Sequence, residues 1–471
     1  MSPADNLASS VAAPPPRDET GPIQLMKAFR IPQRLRNLEL GLLIFACLIN
    51  AGTIIVVQLG ALGRLDTGLL FFVASLSALV FGLHIAVRYV AKDADPFILP
   101  IATVLNGLGI AMIYRIDIAN DESGWKSAAI RQIVWSAIAI VCALVVILAV
   151  RNHRVLFRYT YVAGFVALLL LLLPLLPVLG HEEQGARVWI GIGSVATFQP
   201  GEIAKIALAV FFAGYLVRNK EVLSSVGRKF LGMRFPRLRD LGPILVVWAF
   251  SMSVIIFQHD LGTALLYFGL FLVMLYVATG RLSWVFLGLA LFVGGALVAS
   301  QSLSYVNGRI TNWLDPFNDA VYNADGGSYQ VVQGLFGLAN GGLIGTGLGR
   351  GRPDITPVPQ SDYIIASLGE ELGLVGVIAI LVLYLLFVAR GLRVGFAGQD
   401  DFGKLLSVGL AFSIALQVFI VVGGVTRVLP LTGLTTPFLA AGGSSLIANW
   451  IIAGLLLRVS DTVRNQPKAM V

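Results

Sequence analysis

Twelve stretches of roughly twenty mostly apolar residues divide this chain, more than a water-soluble core of its length would hold. They cover about 38–60, 68–90, 96–114, 129–150, 158–180, 199–217, 241–257, 261–279, 282–303, 362–389, 405–426 and 441–459. A helix of about 20 apolar residues crosses the hydrocarbon of a bilayer. Inside it every backbone N–H and C=O must find a partner, which a helix provides within itself. The pattern predicts an all-α polytopic membrane protein of about 12 spans. Composition agrees: of 471 residues 57% are hydrophobic and 13% charged, against about 25% charged in soluble proteins. That excludes a soluble enzyme, a disordered protein and a nucleic-acid-binding module, so no nucleic acid is expected as partner. The net charge of +8 belongs with Lys and Arg at membrane edges. Cys47 and Cys142 both lie in apolar runs, which argues against a disulfide framework. The four histidines show no metal-ligand spacing.

Basic residues concentrate on alternate loops, which orients the chain. One side holds Arg30, Arg34, Arg36, Arg88, Lys92, Arg151 and Arg154, and later Arg218, Lys220, Arg281, Arg390, Lys404 and Arg464; the other is sparse. The basic side is expected to be cytoplasmic, with both termini inside. Residues 1–36 then form a disordered cytoplasmic tail, 37–95 two spans, 96–460 a transmembrane core and 461–471 a second cytoplasmic tail. Two core segments, 181–198 and 304–361, face outside. The second runs to over fifty residues, a length that is usually functional or disordered. It keeps apolar residues such as Val331, Leu335 and Phe336, so short or re-entrant helices on the membrane surface are expected there.

An ionisable group in a bilayer costs roughly 2.5–3.5 kcal/mol on insertion scales and is a functional candidate by default. Glu202 and Lys205 stand three residues apart on one helix face. They could grip substrate or simply lock the helix as an ion pair. Asp260 falls between two apolar runs too close for an ordinary loop, where it could contact substrate or cap the following helix; His259 beside it is read as a bystander. Asp362 opens another apolar run, again as catalyst or as cap, with Ser361 a rival cap. Glu370 and Glu371, deeper in that run, are read as glue between helices. Arg187 and Trp189 suit a phosphate headgroup at an interface, because guanidinium offers a forked pair of donors.

Five motifs in order then resemble one family. GARVWIGIGSVATFQPGEIAKI (185–206), HDLGTA (259–264), DPFNDAVYNADGGSYQVVQGLFGLANGGLIGTGLG (315–349), SDYIIASLGEELGLVG (361–376) and LPLTGLTTPFLAAGGSSLIANW (429–450) are similar to signatures of SEDS proteins of the RodA/FtsW type. The resemblance covers about 97–460 and implies a ten-helix SEDS core, so the two extra N-terminal spans are an addition that looks actinobacterial, closer to the elongation-type member. Carried over by position, Asp362 matches the family's essential aspartate. Arg187, Glu202, Lys205 and Asp260 match other important polar positions. Trp189 and Gln330, within the first and third motifs, complete the substrate-binding candidates. Four departures stand out: Val188 for a second arginine, Gly201 for serine, His259 for proline, and Ala440–Ala441 for Ser-Tyr.

The resemblance implies a peptidoglycan glycosyltransferase that polymerises lipid II outside the cytoplasmic membrane, in elongation or division. It implies work with a class B penicillin-binding protein and other machinery of that process. The chemistry needs a carboxylate to accept the hydroxyl proton, typically a 10²–10⁴-fold effect, and cations for the departing diphosphate. Asp362 is the expected base, Arg187 and Lys205 the expected cations; Asp260 could position an acceptor or hold a divalent ion, Mg or Mn, which the sequence leaves open. The alternatives are a lipid-linked precursor transporter (flippase) and a non-catalytic scaffold. Broken helices carrying charge would suit a transporter, but its inner face would need acidic groups where this chain shows basic edges.

Overall fold

The computed structural model describes residues 22–465 apart from 178, 184, 193–195, 225–228, 231–232 and 235–240. The helices are α1 (Pro22–Leu62), α2 (Thr67–Val90), α3 (Ile98–Ala119), α4 (Ala128–Ala149), α5 (Arg154–Arg158), α6 (Thr160–Leu172), α7 (Pro200–Arg218), α8 (Lys220–Leu223), α9 (Gly242–Gln258), α10 (Leu261–Thr279), α11 (Leu282–Ser302), α12 (Ser304–Leu314), α13 (Asp319–Tyr322), α14 (Tyr329–Gly341), α15 (Ile364–Ala397), α16 (Asp401–Val425) and α17 (Gly443–Arg464). Among the described residues ten helices are long and apolar enough to cross a membrane, and two shorter apolar ones cover Thr160–Leu175 and Gly242–Gln258. These twelve are the stretches read from the sequence, with shifted ends. Of the two expected tails, residues 1–21 and 466–471 lie outside the described residues; α1 already begins at Pro22. The segment after α11 carries the short helices expected of it, α12 to α14.

The most enclosed helices are α3 and α17. Around them α4 packs on α17, α6 on α7, and α15 on α16. The two added helices lie against this core, α1 on α3 and α2 on α4. Polar pins hold them in register. Asn50 donates to the Thr103 carbonyl at 2.9 Å. Glu39, buried, accepts from Arg36 at 2.5 Å and meets His84 of α2 at 2.7 Å. Arg36 also reaches the Ala94 carbonyl. At the same end Asp95 pairs with Arg390 at 2.5 Å and Arg464 at 2.8 Å, tying α15 and α17 to the entry of the core. The opposite end carries a three-stranded antiparallel sheet, β1 (Gly180–Glu183), β2 (Ala186–Ile192) and β3 (Ala196–Phe198), in the segment where charge and aromatics mix.

One long helix is interrupted. Gly373 in α15 has φ 69° and ψ −175°, a conformation open almost only to glycine. The break frees backbone groups that no water in a bilayer would satisfy. The turn after α14 fills it: Thr346 N donates to Glu370 O at 3.0 Å and Gly347 N to Glu371 O at 3.0 Å. In return Leu374 N donates to Gly342 O at 2.9 Å and Val375 N to Leu343 O at 3.1 Å. The neighbouring acids complete the seam. Glu371 accepts from Arg115 at 3.0 Å, Gly349 N at 2.8 Å and Gly351 N at 3.2 Å. Glu370 accepts from Asn340 at 3.0 Å and Arg352 N at 3.1 Å. Both therefore join the 340–352 segment to α15, as glue. Gly349 lies in turn against α1: a Cβ there would come within 2.8 Å of the Val57 carbonyl.

A Gly373→Ala substitution should be costly. Its Cβ would fall 2.3 Å from the Gly345 nitrogen, and the backbone angles alone cost of order 1–3 kcal/mol. Gly41→Ala, in open space on α1, should be neutral or stabilising. Thermal unfolding of the two variants in detergent gives the comparison.

Candidate active site

At the end that carries the sheet lies a cavity of about 670 Å³. Its walls come from the start of α4, from β2, from the α9–α10 junction, from α12, and from the segments before α15 and α17. Each is fixed by local bonds. Asp117, at the end of α3, accepts from Ser127 at 2.6 Å, Ala128 N at 3.1 Å and Ala129 N at 2.8 Å, which sets the start of α4. One turn on, Gln132 donates to Ala440 O at 3.1 Å and accepts from Gly442 N at 3.1 Å. Ala441 N donates to Gln360 O at 2.8 Å. The segments that precede α15 and α17 are thus locked to each other and to α4.

Asp260 lines the cavity and is buried. The preceding His259 ends α9 in the left-handed region, φ 56°. Asp260 then caps α10: it accepts from Thr263 N at 2.9 Å and from the Thr263 hydroxyl. Its capping role is a fact of the fold, and it leaves the residue beside the cavity.

Asp362 follows Ser361, which lines the cavity, and is itself 8% exposed. It is not a cap. Tyr363 stands at the cap position of α15, and its side chain makes no capping bond. Burial pushes the Asp362 carboxyl up to about 6, against backbone N–H groups and the Arg309 charge, which lower it.

Glu202 and Lys205 lie outside the cavity lining. Lys205 is 1% exposed, pairs with Glu202 at 2.6 Å, and donates to Gln417 at 2.9 Å and Asn449 at 3.2 Å. Gln417 donates to the carbonyl of Thr435, a lining residue. The pair therefore braces the cavity from beneath. Trp189 lines the cavity; Arg187 beside it does not, and is 59% exposed and paired with Glu182 at 3.1 Å. Gln330 is farther off on α14, donating to Pro357 O at 2.8 Å. Of the predicted set, Asp260 and Trp189 line the cavity, and Asp362 directly follows the lining residue Ser361.

Two arginines inside it were passed over: Arg131 and Arg309. Arg309 was legible only as one of the cations on the sparse side, and Arg131 stands near the start of the apolar run 129–150. Arg309 donates to Leu431 O at 2.8 Å, and its charge acts on both Asp260 and Asp362. Among the described residues no group of three or more His, Cys, Asp or Glu forms a metal cage.

A multi-pass helical bundle with an acid- and arginine-lined cavity at one end is the class that these features define. The family model described as cell cycle protein, of the FtsW/RodA/SpoVE type, matches residues 96–465. The chain belongs to that family. It is 45% identical over 437 residues to the peptidoglycan glycosyltransferase RodA of Mycobacterium tuberculosis (strain ATCC 25618 / H37Rv), covering 92% of each chain. It is 34% identical to the stage V sporulation protein E of Bacillus subtilis (strain 168), over 78% of this chain and 96% of that one. The crystal structure of Thermus thermophilus RodA superposes with a TM-score of 0.55 at 26% identity, over 81% of this chain and 100% of that one. A chain of a peptidoglycan synthase complex that coordinates polymerization and crosslinking gives 0.53 at 26% identity, over 85% and 99%.

The buried pair makes a stability prediction. Lys205→Met leaves the Glu202 charge uncompensated and should cost about 3–5 kcal/mol. Glu202→Gln added to it should restore much of the loss. Unfolding temperatures of the single and double variants test this; equal temperatures would show that the pair does not brace the fold.

Proposed function

We propose that this chain, a peptidoglycan glycosyltransferase by family, polymerises lipid II in the cavity beside Asp362, at the outer face of the cytoplasmic membrane. The observation that carries the reading is Asp362: a buried carboxyl next to the lining residue Ser361, outside the cap position of α15, with its pKa raised to about 6. An acceptor of hydroxyl protons works best with a pKa near the working pH. The 4-hydroxyl oxygen of one disaccharide bonds the anomeric carbon of another. The bond from that carbon to the diphosphate oxygen breaks, its electron pair leaves with the lipid diphosphate, and the proton passes to Asp362. The leaving group is good, so no protein nucleophile is required and inversion follows. Trp189 offers a face for a sugar ring, and Asp260 positions an incoming group. Glu202 and Lys205 support the wall, and Arg187 meets the headgroup at the rim. Gln330 acts through the segment at Pro357 that it holds.

The Lys and Arg asymmetry supports cytoplasmic termini, with the sheet end outside. The complex to which one structural neighbour belongs couples polymerization to crosslinking. It supports a class B penicillin-binding protein as partner here, with other elongation machinery, in keeping with the relatives named RodA.

Asp362→Asn keeps size and hydrogen bonding but cannot take the proton. Polymerisation of purified lipid II should fall by 10² or more in a protein that unfolds at the normal temperature. In the native enzyme kcat/KM should fall about tenfold per pH unit below about pH 6, as the raised Asp362 carboxyl protonates. Near-normal activity of the Asn variant, or a flat profile from pH 7 to 5, would remove Asp362 as base.

A further inference from the structure

We propose that Arg309 is the side chain that receives the charge of the leaving diphosphate, a catalytic role that rests on the polymerase reading above. The sequence pointed to Arg187 and Lys205, and the structure places neither in the cavity lining. Arg187 is held by Glu182 and Lys205 by Glu202, Gln417 and Asn449. Val188, which lines the cavity, brings no charge. Arg131 also lines it but is exposed, with Nη1 turned to Trp125 O at 3.4 Å.

Arg309 differs in three respects. Its helix is pinned at both ends. The Tyr305 hydroxyl donates to Ile255 O at 2.6 Å. Trp313 Nε1 donates to Arg427 O at 3.0 Å, and Arg427 Nε answers to Trp313 O at 2.9 Å. A pinned helix presents a preorganised cation, which is what transition-state stabilisation requires. Its guanidinium also keeps capacity. It has five N–H donors; Nη1 bonds Leu431 O at 2.8 Å, and among the described residues no carboxylate forms an ion pair with it. Last, Gly433 flanks it at φ 78°, where a Cβ would stand 3.8 Å from both Nη1 and Nη2. The glycine leaves that side of the fork clear, and a fork suits phosphate oxygens. The Arg309 charge also acts on both Asp260, in the lining, and Asp362, next to the lining residue Ser361. The cation for the leaving group and the base for the attacking hydroxyl thus share one site.

The test separates diphosphate binding from proton transfer. Purified protein is heated with farnesyl diphosphate or farnesyl monophosphate, and lipid II polymerisation is measured alongside. A ligand that binds the folded state raises Tm. In the native protein the diphosphate should raise Tm more than the monophosphate. Arg309→Gln, which removes the charge and the fork, should abolish that difference and lower kcat by about 10²-fold or more. Arg309→Lys, with charge but no fork, should recover both only in part. Asp362→Asn should lose polymerisation yet keep the diphosphate effect. A folded Arg309→Gln protein that keeps the diphosphate effect, or a kcat within about threefold of native, overturns the assignment. If the Gln variant does not fold, a native diphosphate effect and native kcat in Arg309→Lys overturn it equally. An active Asp362→Asn beside an Arg309→Gln blind to diphosphate would sink the base and leave the Arg309 role standing.

Discussion

A helix broken within a bilayer leaves backbone groups with no water to bond, and the break in α15 at Gly373 is possible because another segment meets it. The turn after α14 supplies both donors and acceptors to the two halves of α15. Glu370 and Glu371 then bind the backbone of that segment on its way back toward Asp362. Three consequences follow from one seam. The long segment between α11 and α15 is held down against the bundle. Two buried acids are satisfied. The approach to Asp362 is fixed by covalent continuity with a pinned chain. The added helix α1 rests on the same segment at Gly349, so the N-terminal extension braces the part of the fold that leads to the cavity.

Burial makes unpaired charge expensive, so the fold divides its ionisable groups into two kinds. Most are neutralised in place: Glu202 with Lys205, Glu371 with Arg115, Asp95 with Arg390 and Arg464, Glu39 with Arg36. These hold helices together, and breaking one partner leaves a stranded charge. The second kind lines or adjoins the cavity with bonding capacity to spare. Among the described residues Asp362 is buried without an ion pair, and Arg309 lines the cavity with one of its donors bonded to Leu431 O. A reaction that moves a proton from a hydroxyl while charge grows on a diphosphate uses one of each.

How far the sequence disclosed this depended on whether the signal was local. Membrane spans are local, since twenty apolar residues suffice, and all twelve appeared as helices. The roles of Glu370 and Glu371 were also legible, because an acid that deep has few options but to bond backbone or a cation. The place of a side chain relative to a cavity is not local. Arg187 and Trp189 are two residues apart on β2, yet only Trp189 lines the cavity. Arg309 sits on a short polar helix whose sequence gives no hint that Tyr305 and Trp313 pin it over the site. Asp362 read equally well as a cap or a base. The structure puts Tyr363 at the cap position of α15, one residue after Asp362, a register that the sequence left open.

The central claim is that lipid II enters this cavity from outside and sits against the segment before α15. The direct measurement is labelling of Ser361→Cys by a membrane-impermeant maleimide in intact cells. It is repeated on purified protein carrying Asp362→Asn, so that substrate binds without being consumed. Cys47 and Cys142 are replaced beforehand. The account predicts labelling from outside the cell, and strong slowing of labelling by saturating lipid II. Labelling that requires opened membranes, or that proceeds at an unchanged rate with lipid II bound, would contradict it.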